Sequence, residues 1–175
     1  ITPNRADACS HYGVARDLYA WLVCQGKQTQ LHRNDVSDFS VDNHDLEIEV
    51  QVENKEACPR YCAVSLTGCE IKESPKWLQD KLRTIGVRPI NNIVDITNYI
   101  MFAYGQPLHC FDADMVKGQK IVVKTLPAGT PFTTLDGVEH KLDEKDLMIC
   151  NAEEPMCIAG VFGGKGSGTY ETTHN

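Results

Sequence analysis

With 175 residues, 42% hydrophobic and 23% charged, the chain is long enough for one substantial core or two small ones. A formal charge of −7 excludes a broad electrostatic grip on nucleic acid, which needs Lys and Arg to displace counterions. The sequence contains no signal-like apolar run and no stretch of transmembrane length, and it starts without Met, in mid-motif, so it reads as cut from a longer cytoplasmic polypeptide.

Residues 1–33 predict a loop and then a helix. Asn4 or Asp7 can cap it, Val14, Ala15, Leu18, Trp21 and Leu22 supply the buried side, and Gly26 is the stop. Residues 34–45 are rich in Asp, Ser and Asn and read as a linker, which divides the chain into 1–45 and 46–175. Apolar and polar residues then alternate over 46–53, the pattern of a half-buried strand, and 61–69 repeats it with Cys62, Val64 and Leu66 on one side. Ser74-Pro75 opens a second helix with Leu78, Leu82 and Ile85 inward.

Residues 88–112 are the most informative. Asn91 or Asn92 can cap a helix, Ile93, Val94, Thr97, Ile100, Met101 and Tyr104 form an apolar stripe, and Gly105 with Pro107 ends it. Asn91, Asp95, Asn98 and Phe102 fall on one helix edge. Beside a loop carrying His109, that edge lines a small polar pocket or is simply a solvated face.

Short strands follow at 120–126, 132–134, 138–142, 147–150 and 156–161, with Asp136-Gly137 marking a hairpin. The fold class is therefore α+β, with mixed or antiparallel sheets of short strands packed with two or three helices.

Gly160, Gly163, Gly164, Gly166 and Gly168 crowd one loop with Lys165, but the spacing fails a phosphate-binding loop: Lys165 comes one residue early and Gly166 replaces the required Ser or Thr. A strand-to-loop bend with close backbone approach fits better, the neighbour being another strand or a ligand. The eight cysteines include no C-x-x-C pair, so zinc is not indicated, and most suit reduced packing positions.

Four stretches carry a family resemblance: ITPNRADACSHYGVARDL at the start, ACPRY at 57–61, RPINNIVDITNYIMFAYGQPLHCFDAD from residue 88, and IAGVFGGKGSG at 158–168. In order and spacing they resemble the β subunit of bacterial phenylalanine–tRNA ligases. That resemblance implies an editing module that hydrolyses mischarged Tyr-tRNA(Phe), with the tRNA 3′ end, tyrosine and an α subunit in a heterotetramer as partners. It implies no membrane and no cofactor in this portion, ATP and magnesium serving the charging reaction. Position by position, His109 and Asn98 match catalytic and substrate-binding residues of the family pocket, and Gly163 matches a glycine whose bulk controls access. The family's tyrosine-reading glutamate lies beyond the point matching Asn175, so the module reads as incomplete at its C-terminal side. The alternative is a non-catalytic structural or tRNA-guiding module of the same subunit, to which the acidic charge and the Arg- and Asp-rich start lend support. A free-standing hydrolase is disfavoured.

Overall fold

The computed structural model describes residues 1–175. They segregate into two compact units, one of Ile1–Asn43 with Glu73–Leu108 and one of His44–Lys72 with His109–Asn175. The chain thus passes between units three times. The polar stretch 34–45 holds one crossing. The other two fall beside Pro75 and Pro107, where the sequence signals only helix edges.

The first unit is helical. A 3₁₀ turn at Ala6–Ala8 leads into α1 (His11–Cys24). The cap is Ser10, whose Oγ accepts from the Gly13 amide at 2.9 Å, rather than Asn4 or Asp7. Asp7 instead pairs with Arg5, which also reaches Asp17 at 2.8 Å. Helix α2 (Lys76–Thr84) buries Leu78 and Leu82, as their spacing predicts, but leaves Ile85 exposed. Pro75 occupies its cap position without a side-chain bond, because the Ser74 hydroxyl donates to Asp95.

Helix α3 (Asn92–Tyr104) starts where Asn91 accepts from the Val94 amide at 2.9 Å and ends at Gly105, φ 77°. Both ends match the sequence reading. The stripe does not: its residues are only part-buried or exposed, and the one fully buried residue is Asp95. Edge-on packing of Trp77 against Tyr99 and a Tyr12–Tyr104 contact join the helices. On α1 the expected buried face is open, with Val14, Leu18 and Trp21 at 45%, 54% and 59% exposure. No helix is long and apolar enough to cross a membrane.

The second unit is a mixed five-stranded sheet, ordered β1 (Glu49–Val52), β2 (Lys120–Thr125), β5 (Leu147–Cys150), β6 (Pro155–Ile158) and β7 (Phe162–Gly163), with a separate hairpin of β3 (Pro131–Thr133) and β4 (Glu139–Lys141). Strand β1 runs parallel to β2, and the other pairs are antiparallel. Strand β2 is apolar without alternation because both its faces are covered. Ile121 and Val123 join Val116, Ile149, Met156 and Cys157, while Val122 joins Phe132, Leu142, Met148 and Cys150. Phe132 brings the β3–β4 hairpin onto that second cluster. The architecture is α+β with mixed sheets of short strands.

Residues 61–69 form no strand. The Cys69 amide donates to the carbonyl of His174, and Val64 and Leu66 stay exposed. Alternation makes a strand only where a neighbouring chain accepts the backbone and one face is covered.

Candidate active site

The glycine bend is anchored before it meets anything functional. The Gly164 amide donates to Met156 O at 2.7 Å, the Lys165 amide to Thr133 O at 2.9 Å, and buried Ser167 donates its hydroxyl to Met156 O at 3.0 Å. The β3–β4 turn is closed by its own Asp-Gly step: Thr134 Oγ1 donates to Asp136 at 2.6 Å, and Gly137 has φ 82°. The turn is locked to the bend because the Leu135 amide donates to Gly163 O at 2.9 Å. Turn and bend therefore form one rigid ledge.

His109 lies against that ledge. A β-carbon built on Gly163 would stand 2.5 Å from His109 Cε1, 3.0 Å from its Nε2 and 2.9 Å from Leu135 Cδ1. The space a side chain would fill is thus taken by the imidazole. This decides which neighbour the bare backbone meets: β6 pairs along its edge, and His109 and Leu135 lie over Cα. Gly164 approaches different groups, the Met156 carbonyl and the Phe132 ring, so it serves the core.

The imidazole packs edge-on to Phe111, with ring centroids 4.6 Å apart, and neither ring nitrogen bonds a protein group. Desolvation by these neighbours pushes the His109 pKa below the ordinary 6.5, which favours the neutral ring at neutral pH. A neutral imidazole both donates and accepts, so it can orient water or a sugar hydroxyl. Beyond it, Asp112 is held by the Thr173 hydroxyl at 2.6 Å and itself accepts from the Asp114 amide. This buried pair fixes the backbone just past the imidazole.

The polar edge of α3 divides by role. Asn91 is the cap and Asp95 is structural: its carboxyl oxygens accept from Ser74 Oγ and from the Ile90 amide at 2.8 Å. Phe102 lines a cleft of about 470 Å³ within the helical unit, together with Tyr99, Ala103, Leu82 and Ile85. Asn98 is half-buried and its amide has no protein partner. Of the three site candidates, His109 and Gly163 are brought together within the sheet unit, while Asn98 belongs to the helical one.

Leu135 and Phe111 were not among the candidates. The Asp-Gly step located the turn that carries Leu135, but no local pattern showed what lay opposite. No group of three or more His, Cys, Asp or Glu side chains is arranged to hold a metal.

Residues 57–175 match the B3/4 domain family. The chain is 70% identical over 173 residues to the phenylalanine–tRNA ligase β subunit of Bacteroides thetaiotaomicron. It is 53% identical over 174 residues to that of Porphyromonas gingivalis and 45% identical over 175 residues to that of Geobacter metallireducens. Each alignment covers 99% or more of this chain but 21% of the relative, so the chain spans about a fifth of the length of the curated relatives it matches. With the family matched over residues 57–175, a span that holds His109, Gly163 and every strand but β1, the chain belongs to the B3/4 domain family.

Proposed function

We propose that the chain supplies the hydrolytic editing centre of a phenylalanine–tRNA ligase β subunit, acting on Tyr-tRNA(Phe). The observation that carries this reading is His109 poised over the bare Gly163 backbone with both ring nitrogens free of protein partners. Water attacks the ester carbonyl carbon, the bond to the terminal ribose oxygen breaks, and the proton lost by water ends on that oxygen, releasing tyrosine and intact tRNA. An aminoacyl ester is already labile, so holding water and ribose in line supplies much of what is needed. His109 does this as a positioning group, with proton acceptance open to the same neutral ring.

The selective logic is that of a second sieve. A pocket built for phenylalanine rejects an added hydroxyl by only ~100-fold, so a second site that accepts the larger product restores accuracy. Asn98 is assigned to the same reaction by family resemblance alone. The α subunit and tRNA are partners of the whole subunit, whose ATP and magnesium belong to charging.

The test is deacylation of preformed Tyr-tRNA(Phe) by the full-length enzyme. His109→Ala should reduce it by roughly two orders of magnitude with phenylalanine charging retained. Undiminished deacylation would remove the reading. Asn98→Ala is assayed separately. The scaffold alternative draws on the open α1 face of Val14, Leu18 and Trp21, and it predicts that charging or assembly fails instead.

A further inference from the structure

We propose that the cleft in the helical unit is a nucleoside-phosphate site, with Lys81 on the phosphate and the rings of Tyr99 and Phe102 against the base. None of these residues belongs to the ledge, so the site stands or falls apart from the hydrolytic reading.

Sequence spacing builds the slot. Phe102 and Ala103 follow Tyr99 by three and four positions, so α3 lines the cleft with two aromatic rings and a small side chain on one side. Leu82 and Ile85, again three apart, add an aliphatic lining from the last turn of α2. Edge-on contact with Trp77, ring centroids 5.7 Å apart, holds Tyr99 in place. The volume of about 470 Å³ falls within the roughly 300–1,000 Å³ of small-ligand sites. Phe102 and Ile85, each 37% exposed, leave apolar surface open to an occupant.

Charge selects the occupant. Besides the Tyr99 hydroxyl, the polar members of the lining are Lys81, His11 and Thr84, and no carboxylate is among them. The carboxylates of residues 73–108 are engaged by other groups: Glu73 accepts from the Gln79 amide at 2.9 Å, Asp80 from Lys76 at 2.8 Å, and Asp95 from Ser74 and Ile90. Lys81, exposed on the same helix as Asp80, has no such partner. A free amino acid would bring an ammonium that nothing in the cleft neutralises, so the fitting ligand is anionic. A planar base lies against the rings as bases stack on aromatic side chains, and the compact Lys81 ammonium takes the phosphate. The charge of −7 does not oppose this, because cations and carboxylates balance in the helical unit and the surplus lies in the sheet unit.

The experiment irradiates the full-length ligase with 8-azidoadenosine monophosphate and maps labelled peptides by mass spectrometry, which separates this cleft from any nucleotide site elsewhere in the enzyme. Wild type should carry label within residues 76–104, and excess AMP should remove it. Lys81→Glu should cut that label about ten-fold and Phe102→Leu several-fold. Lys76→Ala, whose ammonium pairs with Asp80, should leave it unchanged. Adenosine, lacking the phosphate, should compete about ten-fold more weakly than AMP. A short single-stranded oligoribonucleotide that competes at lower concentration than AMP identifies an RNA strand as the source, and competition by AMP alone identifies a free nucleotide. Absence of label in 76–104, label indifferent to Lys81→Glu, equal competition by adenosine, or displacement by an acidic peptide but not by AMP would overturn the assignment. Melting temperatures within about 2 °C of wild type show that the helices are intact, and a larger drop in Phe102→Leu passes the decision to the exposed Lys81.

Discussion

The His109 imidazole occupies the volume that a side chain at residue 163 would need, with Cε1 2.5 Å from where the β-carbon would be. Residue 163 does not have the positive φ that restricts other glycines of the chain, so alanine is allowed there conformationally and is opposed by two side chains, the His109 ring and the Leu135 methyl. Gly163→Ala should fold, displace the imidazole, and lower Tyr-tRNA(Phe) deacylation roughly a hundred-fold. Parallel deacylation and thermal melts check this; wild-type turnover would show that the ring's position is immaterial.

The adjacent residue gives the control. At Gly164 a β-carbon would meet the Met156 carbonyl at 2.7 Å and the buried Phe132 ring at 2.8 Å, neither of which can retreat. Gly164→Ala should therefore destabilise the protein, by about 1–3 kcal/mol, as overpacked cores do. Chemical denaturation measures it, and a stability loss smaller than that of Gly163→Ala would contradict the division of labour.

The acid limb of the reaction follows from the direction of the His109 shift. Desolvation lowers the folded pKa below 6.5, so as pH falls the unfolded chain takes up its proton first. The stability contribution is constant above about pH 6.5 and declines as pH drops through that value towards the folded pKa. The neutral ring persists over the same interval in the folded enzyme. Deacylation kcat/KM should thus lose half its value below pH 6.5, and a midpoint above 6.5 assigns the limb to another group.

Asp95 carries a structural prediction. With 0% exposure and acceptor bonds from Ser74 and Ile90, it joins the start of α3 to the segment before α2. Asp95→Ala leaves two donors without partners and should cost about 3 kcal/mol, against about half that for Asp95→Asn, which keeps one acceptor. Denaturant midpoints of the two variants decide the order.

Alkylation separates the cysteines by burial. Cys9, Cys24 and Cys62 are exposed, whereas Cys157 is buried and its thiol is pushed up to about 11 by desolvation. Under native conditions iodoacetamide should label the first three and spare Cys150 and Cys157, with all eight labelled after denaturation. Mass spectrometry reads the result.

What could be read directly from the chain was whatever neighbouring residues decide among themselves. Asn91 and Gly105 bracket α3 because capping is settled within a few positions, and Asp136-Gly137 marks its turn for the same reason. Burial was less legible. Asp95 looked like part of a solvated edge, since nothing nearby shows that Ser74 will meet it, and residues 61–69 looked like a strand because alternation does not reveal the absence of a pairing neighbour. Local pattern marks His109 beside a polar helix edge and Gly163 in a glycine-rich bend, and family resemblance assigns them to one pocket. The bend at Gly163 is a local β6–β7 pairing, but the clamp from Leu135 and the approach of His109 are long-range. Leu135 escaped notice because a leucine before a turn has no marking of its own.

Val50 of the edge strand pairs in parallel with Ile121, about 70 residues later, and the α2–α3 segment lies between them in sequence. During synthesis at about 5–20 residues per second, the first strand leaves the ribosome several seconds before its partner exists. The helices can form in that interval, so the first strand waits for a partner made much later in the chain. Synonymous codon changes that slow translation between positions 50 and 121 should therefore lengthen the exposure of that open edge to chaperones and aggregation, with no change in the finished molecule.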